Sequence, residues 1–194
     1  MKLFLVDKKY RALLVGSSQQ KVVETLLKNP EKEFSLSELA LVAGVAKQHL
    51  AGMVESLQKQ DLIVTSRIGR IWRIRPNQSN WKYQKAKIVH NLNFIYQSGI
   101  VEHLSAKFNR PKAIILFGSY RTGQDTASSD IDIAIETIEN IEQKTVYLPE
   151  LANFEREVSR KIQVHVFNRK TVDPNVFASI ANGIVLLGFL EARP

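Results

Sequence analysis

Residues 113–136 read AIILFGSYRTGQDTASSDIDIAIE, and this stretch decides the fold of the second half of the chain. An apolar run over 113–117 is followed by a Gly-Ser pair, and a second apolar run over 130–136 alternates with acidic residues. Both runs predict β-strands, because apolar and β-branched residues dominate them and turn-forming residues flank them. The sequence therefore predicts two strands with Gly118 and Ser119 at the end of the first and two aspartates at the start of the second.

Asp130 and Asp132 are the strongest sign of chemistry in this stretch. Aspartate is depleted in strands, and side chains at i and i+2 project from the same face about 6.6 Å apart. Convergent carboxylates hold divalent cations, and such hard oxygen ligands suit Mg²⁺ or Mn²⁺. Taken alone, the segment also fits an amphipathic strand whose carboxylates are solvated.

The Gly-Ser pair adds a second chemical feature at a fixed distance. Gly118 has no Cβ, so a phosphate can approach the backbone, and Ser119 can donate both its N–H and its hydroxyl. Ten residues separate Ser119 from Asp130. Together the two features predict a site for a nucleoside triphosphate and a divalent cation.

This pattern resembles the signature of the nucleotidyltransferase superfamily of DNA polymerase beta, and residues 117–119 and 130–133 match each of its elements. The resemblance covers about residues 110–190 and is closest in size to the minimal nucleotidyltransferases. It implies that Gly118 and Ser119 hold the triphosphate and that Asp130 and Asp132 are catalytic metal ligands. The reaction it implies moves a nucleoside monophosphate from an NTP to an acceptor hydroxyl of a protein or an RNA, with release of pyrophosphate.

Two departures from the family pattern affect the expected activity. Many minimal members read Gly-Ser-x-Ala-Arg-Gly, whereas here Arg121 stands one place early, from where it can still reach phosphate, and Thr122 takes the place of the arginine. The family also has a third carboxylate on a later strand, where this chain offers only Gln163 and His165. Glu136 lies about 13 Å along the strand from Asp132, too far to replace that acid. We expect weak turnover, with His165 as the candidate base, and the sequence leaves open which of Gln163 and His165 takes the acidic position.

The first 76 residues show a different pattern. A helix is predicted over 17–29, a capping box at 35–38 opens a short helix that Gly44 ends, and a further helix covers 46–60. Alternating segments over 62–67 and 70–75 predict a hairpin around residues 68–69. The order is helix, helix, tight turn, helix, hairpin.

That order resembles the winged helix-turn-helix family over about residues 15–76. The resemblance implies binding of duplex DNA through residues 1–78. The exposed start of the recognition helix would be Ala46, Lys47, Gln48 and His49, and the arginines of the wing would be Arg67, Arg70, Arg73 and Arg75. Winged helices also serve as dimerisation or protein-docking modules, which is the alternative for this region.

The distribution of charge also separates the first part of the chain from the second. Residues 1–80 carry 13 basic and 7 acidic side chains, a net charge of +6, whereas residues 81–194 carry 14 and 12, a net charge of +2. A basic surplus in one segment is typical of a polyanion-binding protein, although a solubilising surface gives the same count. The polar connector at 75–80 predicts a boundary between domains 1–78 and 79–194. The predicted fold class is α+β, a winged helix followed by a nucleotidyltransferase domain with a mixed sheet.

Other sequence features exclude whole classes of chemistry. The chain has no cysteine, which excludes disulfides, cysteine-ligated zinc and thiol nucleophiles. No apolar run is long enough for a membrane span and the start lacks a signal-peptide core, so we expect a cytoplasmic protein.

The acceptor remains open at this stage. Minimal members of the family often act beside HEPN partner proteins as antitoxins, so a HEPN-type partner is one expectation and a homodimer is another. The alternative function is a DNA-binding regulator whose second domain senses a nucleotide without turning it over, which the missing third acid favours.

Overall fold

The computed structural model describes residues 16–69 and 71–191. Its residue contacts divide these residues into two compact units, with the boundary along the chain between His90 and Asn91. This division falls inside a long helix, whereas the sequence predicts the boundary in the connector before it, between residues 78 and 79. Among the described residues, no helix combines the length and the apolar composition that a membrane span requires.

The N-terminal unit has the predicted order of three helices and a hairpin. Its elements are α1 (Ser18–Lys28), α2 (Leu36–Ala43), α3 (Lys47–Lys59), β1 (Ile63–Ile68) and β2 (Ile71–Pro76), followed by the start of α4 (Trp81–Ser98). The strands pair antiparallel, and buried side chains from every element form one core. On β2, Ile74 is buried while Arg73 and Arg75 are exposed, as the alternation predicts. This arrangement is a winged helix-turn-helix.

Helix ends in this unit follow the sequence signals with one exception. Ser17 and Gln20 form a complete capping box at the start of α1. Ser35 Oγ accepts a hydrogen bond from the Glu38 N–H at 3.2 Å, but the Glu38 carboxylate pairs with Lys32 at 2.9 Å instead of returning to the cap. The Lys32 ammonium lowers the pKa of Glu38. The capping box predicted at residues 35–38 is therefore only half formed.

The first half of α4 belongs to the N-terminal unit because two of its side chains bond to the end of α1. The Tyr83 hydroxyl donates to the Leu26 carbonyl at 3.2 Å, and the Lys87 ammonium donates to the Leu27 carbonyl at 3.4 Å. Carbonyls in the last turn of a helix lack intrahelical partners and favour a nearby cation. The helical pattern over residues 81–97 predicts one packing face with Trp81, Ile88, Leu92 and Ile95, but Trp81 is 59% exposed.

The C-terminal unit is built on a five-stranded sheet in the order β5-β6-β4-β3-β7. Strand β4 runs parallel to β6, and the other neighbours are antiparallel. The strands are β3 (Ala113–Phe117), β4 (Ile131–Glu136), β5 (Lys144–Val146), β6 (Ile162–Phe167) and β7 (Ile184–Gly188). The helices, besides the end of α4, are α5 (Ile100–Lys107), α6 (Gly118–Thr122), α7 (Ala152–Val158), with a 3₁₀ turn before it at Pro149–Leu151, and α8 (Pro174–Ala181). The predicted strand over 113–117 matches β3, and the alternating apolar pattern over 162–167 predicts β6 with the observed bounds, whereas the sequence analysis misses α6, β5 and β7.

The two faces of this sheet have different surroundings. One face is apolar throughout, and isoleucines of β4 pack with side chains from α4, α5 and α7. On the other face, Ile115, Ala134 and Phe167 pack against Ile180 of α8. The same face also carries the polar side chains of Asp132, Gln163 and His165, which form the candidate site beside Phe117.

Candidate active site

The Gly118 turn and Asp132 are in direct contact. Strands β3 and β4 pair so that Phe117 lies opposite Asp132, which brings the next residue, Gly118, against the aspartate side chain. Gly118 has φ +73°, in the left-handed region that favours glycine. A Cβ at this position would collide with Asp132 Oδ2. The backbone conformation therefore favours glycine here, and a side chain would have to displace the Asp132 carboxylate.

The residues after Gly118 form the short helix α6, which holds the turn in place. Tyr120 is buried beneath it, while Ser119 and Arg121 are half-buried. The Thr122 hydroxyl donates to the Ser119 carbonyl at 3.0 Å. Thr122, which stands where the family has arginine, is thus a structural residue of the turn.

Strand β6 places Gln163 and His165, the two candidates for the position of the family's third acid, beside the two aspartates. The Gln163 Nε2 donates a short hydrogen bond to Asp130 Oδ2, and His165 Nε2 lies 3.2 Å from Asp132 Oδ1. Each candidate thus faces a different aspartate, on the same face of neighbouring parallel strands. Both aspartates thus have a side chain of β6 as a partner.

The imidazole of His165 is held on three sides. Its Nδ1 lies 3.1 Å from the Thr145 hydroxyl, and its ring meets the ring of Phe117 edge-on at 5.1 Å. A carboxylate only accepts hydrogen bonds, so Nε2 carries a proton toward Asp132, and Nδ1 shares the second hydrogen bond with Thr145. Thr145 was missed by the sequence analysis because the three-residue strand β5 has too short a pattern to detect.

A buried ion pair fixes the loop between the turn and the aspartates. Asp125 is fully buried and lies 3.3 Å from Arg160, whose side chain is 6% exposed. The Asn91 amide donates both to Asp125 at 2.9 Å and to the Tyr120 carbonyl at 2.8 Å, and Arg160 also donates to the Ala127 carbonyl at 2.9 Å. Burial, reinforced by the Asp125 charge, raises the pKa of Tyr120. These residues tie the turn, the loop and the start of β6 together.

Glu136 lies outside the site, as its spacing predicts. Its carboxylate is 2% exposed and lies 3.2 Å from the Arg169 guanidinium, which stacks on Phe177 of α8. Glu136 therefore lies on the same sheet face as the site but at the opposite, buried end of β4, which is called the closed end below.

The candidate DNA-contacting residues of the N-terminal unit differ in whether their side chains already have partners within the protein. Lys47, Gln48 and His49 are all exposed in the first turn of α3. In the wing, Arg67 stacks on Trp72 at 3.7 Å and Arg73 pairs with Glu33. Arg75 is exposed, and Arg70 lies outside the described residues.

Comparisons with known proteins support the fold of the second unit. Residues 100–188 match the family described as polymerase beta, nucleotidyltransferase. No curated protein matches the chain.

Several solved structures are similar to part or most of the chain. ZitR from Lactococcus lactis is 18% identical, with 52% of this chain and 74% of that chain covered and a TM-score of 0.36. A MarR family transcriptional regulator from Silicibacter pomeroyi is 12% identical, with 50% and 68% covered and a TM-score of 0.36. The archaeal chromatin protein TrmBL2 is 14% identical, with 90% and 69% covered and a TM-score of 0.29. Residues 100–188 thus match the polymerase beta nucleotidyltransferase family, and in this chain they follow a unit with the order of elements of a winged helix-turn-helix.

Proposed function

We propose that the C-terminal unit transfers a nucleoside monophosphate from an NTP to an acceptor hydroxyl, with Mg²⁺ or Mn²⁺, and that the N-terminal unit binds duplex DNA. The observation that carries the reaction is the contact of Gly118 with Asp132. A turn suited to phosphate is packed against a carboxylate suited to a cation, so one bound nucleotide can engage both.

The residues at the site fit a magnesium ion. Magnesium is commonly held by one or two carboxylates, with water and substrate phosphates completing its shell. Among the described residues, no group of three or more His, Asp or Glu side chains is placed to hold a metal. In this proposal Asp130 and Asp132 would supply the protein ligands, and the bound ion would neutralise charge on the phosphates.

The neighbouring side chains have separate roles in this proposal. Ser119 and Arg121 bind the triphosphate, and Gln163 and His165 orient the two aspartates through the hydrogen bonds described above. Both ring nitrogens of His165 already have partners, so a general-base role for this residue requires its contact with Thr145 to open. A HEPN-type protein or a second copy of the chain remains a candidate source of the acceptor hydroxyl.

The test is nucleotide binding and transfer by the full chain. NTP binding measured by calorimetry should require Mg²⁺, and Asp130→Ala or Asp132→Ala should abolish the Mg²⁺ dependence. Labelled ATP, CTP, GTP and UTP, with cell lysate as the acceptor pool, should show Mg²⁺-dependent transfer. Glu142→Gln, which removes an exposed acid from the same unit, is the matched control. Equal NTP affinity in EDTA and in both aspartate variants would show that the site is assigned wrongly.

One observation favours a second function. Where the family has a third acid this chain has Gln163 and His165, neither of which carries a carboxylate, so the domain could sense a nucleotide without turnover. In that case an NTP should change the affinity for DNA while no label is transferred to any acceptor. Transfer at a constant DNA affinity would exclude the sensor.

DNA binding by the winged helix is tested by its salt dependence. Lys47→Ala should weaken binding of the full chain on all sequences and lower the salt slope, because one phosphate contact is lost. Lys21→Ala, at an exposed position on α1, is the control. Absence of a mobility shift at about 50 mM salt would favour the protein-docking alternative.

A further inference from the structure

Thr145 is the middle residue of β5 and lies directly opposite His165 of β6. Side chains of directly opposed residues lie on the same face of the sheet, with their Cβ atoms about 5 Å apart. The Thr145 hydroxyl accordingly lies 3.1 Å from His165 Nδ1. Because β6 runs between β5 and β4, Thr145 contacts the imidazole on the side away from Asp132.

Two hydrogen bonds fix the orientation of the His165 ring. Its Nε2 lies 3.2 Å from Asp132 Oδ1, and its Nδ1 bonds to Thr145. Rotating the ring by half a turn would put carbon atoms in the places of both nitrogens, so both hydrogen bonds would be lost. A hydroxyl can donate or accept, so Thr145 suits Nδ1 with or without a proton. Thr145 thus helps to hold Nε2 toward Asp132.

The Asp132 carboxylate is confined at both of its oxygens. Oδ1 faces His165, and Oδ2 lies so close to Gly118 that a Cβ there would collide with it. The side chain is still 25% exposed, so a cation can reach it. Residues that orient a metal ligand by a hydrogen bond matter to binding, because their loss typically weakens metal affinity about 10- to 100-fold. A contact that orients His165 can therefore affect cation binding through Asp132.

We propose that Thr145 is a positioning residue of the cation site and acts through His165 on the Asp132 carboxylate. The inference rests on the proposed function, because it takes Asp132 as a ligand of the cation. The family has a third carboxylate on the later strand. In its place this chain has a line of hydrogen bonds from Thr145 through His165 that orients one of the two remaining carboxylates.

Binding of Mn²⁺ to the full chain tests this role without any turnover, with the free ion followed by electron paramagnetic resonance. Thr145→Val removes the hydroxyl and keeps the branched shape. The Mn²⁺ affinity should fall about fivefold, less than for a direct partner of the ligand, because Thr145 is one residue farther from the ion. Thr145→Ser keeps the hydroxyl and should keep the affinity. Thr171→Val makes the same change at an exposed hydroxyl that donates to the Ile141 carbonyl, and this control should bind Mn²⁺ as the wild type does.

A double-mutant cycle separates action through His165 from a general effect on β5. His165→Ala should weaken Mn²⁺ binding about tenfold, because a direct partner of Asp132 is lost. In that background Thr145→Val should cause no further loss, since the residue through which it acts is already absent. A fivefold loss in both backgrounds would overturn the proposal. Equal affinity of Thr145→Val and the wild type, or no Mn²⁺ binding by the wild type, would overturn it as well.

Transfer of label from an NTP separates this inference from the proposed function. Mn²⁺ binding that is weakened in both Thr145→Val and Asp132→Ala, with no transfer to any acceptor, supports the positioning role and overturns the proposed reaction. Transfer by a protein whose Mn²⁺ affinity does not change in Thr145→Val overturns the positioning role and leaves the reaction standing.

Discussion

The two ends of strand β4 present acidic side chains on the same face of the sheet, yet their surroundings are opposite. At one end Glu136 is buried beside the guanidinium of Arg169. At the other end Asp130 and Asp132 are partly exposed, and their partners are the amide of Gln163 and the imidazole of His165. One strand therefore carries both a structural acid and candidate cation ligands.

The acids at the two ends of β4 differ in the side chain that each one contacts. A buried carboxylate needs a positive charge or several hydrogen bonds to offset lost hydration, and a guanidinium supplies both. Asp125 follows the same rule, because Arg160 lies beside it. Asp130 and Asp132 have no guanidinium partner among the interactions described above and are partly exposed, so their carboxylates remain accessible to a bound cation. Partner type thus distinguishes the acids that hold this unit together from those that carry its proposed chemistry.

The largest effect is expected from the most buried pair. Arg160→Ala leaves Asp125 as an uncompensated buried charge and should lower the free energy of unfolding by about 3–5 kcal/mol. Denaturant unfolding of the full chain measures it, with Arg156→Ala, at an exposed arginine, as the control. The double variant Asp125→Leu/Arg160→Met should recover much of the loss, because no charge is then buried alone. A loss below about 1 kcal/mol, the range of exposed pairs, would contradict a structural role.

A smaller loss is expected at the closed end of β4. Glu136→Gln removes the charge that faces Arg169, whose side chain is 26% exposed and stays partly hydrated. The free energy of unfolding should fall by about 1–3 kcal/mol, since one buried group loses its partner while the other reaches water. Mg²⁺-dependent NTP binding by the folded protein should not change. A loss of NTP affinity in this variant would show that the two ends of the strand are not separate in function.

Much of this fold could be predicted from local sequence signals. The runs over 113–117 and 162–167 are apolar with β-branched residues, and both strands have the predicted bounds. The pattern of caps, helices and hairpin likewise predicted the winged helix. The Gly-Ser and Asp-Ile-Asp motifs identified the residues that the pairing of β3 with β4 brings into contact.

Long-range contacts account for what the sequence analysis missed. Asp125 and Arg160 are 35 residues apart, and no periodic pattern links a loop acid to an arginine before a distant strand. The role of α4 was missed for the same reason, since Tyr83 and Lys87 bond to carbonyls of a helix far back in the chain. The capping box at Ser35 failed because Lys32 competes for the Glu38 carboxylate.

Adding an acid beside Asp130 and Asp132 should strengthen the proposed cation site at that end of β4. Gln163→Asp or His165→Asp places a carboxylate beside Asp130 or Asp132 and should raise Mg²⁺-dependent transfer roughly tenfold, below the hundredfold typical of a positioned base. Mg²⁺ should also stabilise the variant against thermal unfolding more than the wild type, because added ligand charge tightens binding to the folded state. Should neither variant change transfer or the Mg²⁺-induced shift in melting temperature, β6 would have only a structural role at the site.

The smallest expected change is a gain in the free energy of unfolding, whereas the substitutions at the buried ion pairs are expected to lower it. Asp132→Asn removes the repulsion between two carboxylates about 6.6 Å apart, while an amide oxygen can still accept the hydrogen bond from His165. Because the Asp132 side chain is 25% exposed, solvent screens this repulsion. The free energy of unfolding in EDTA should therefore rise by only about 0.5–1 kcal/mol. Denaturant unfolding measures the gain, and calorimetry should show that Mg²⁺-dependent NTP binding is lost in the same variant. If Asp132→Asn instead destabilised the protein as Glu136→Gln is expected to, both ends of β4 would carry structural acids and the assignment of the metal ligands would be wrong.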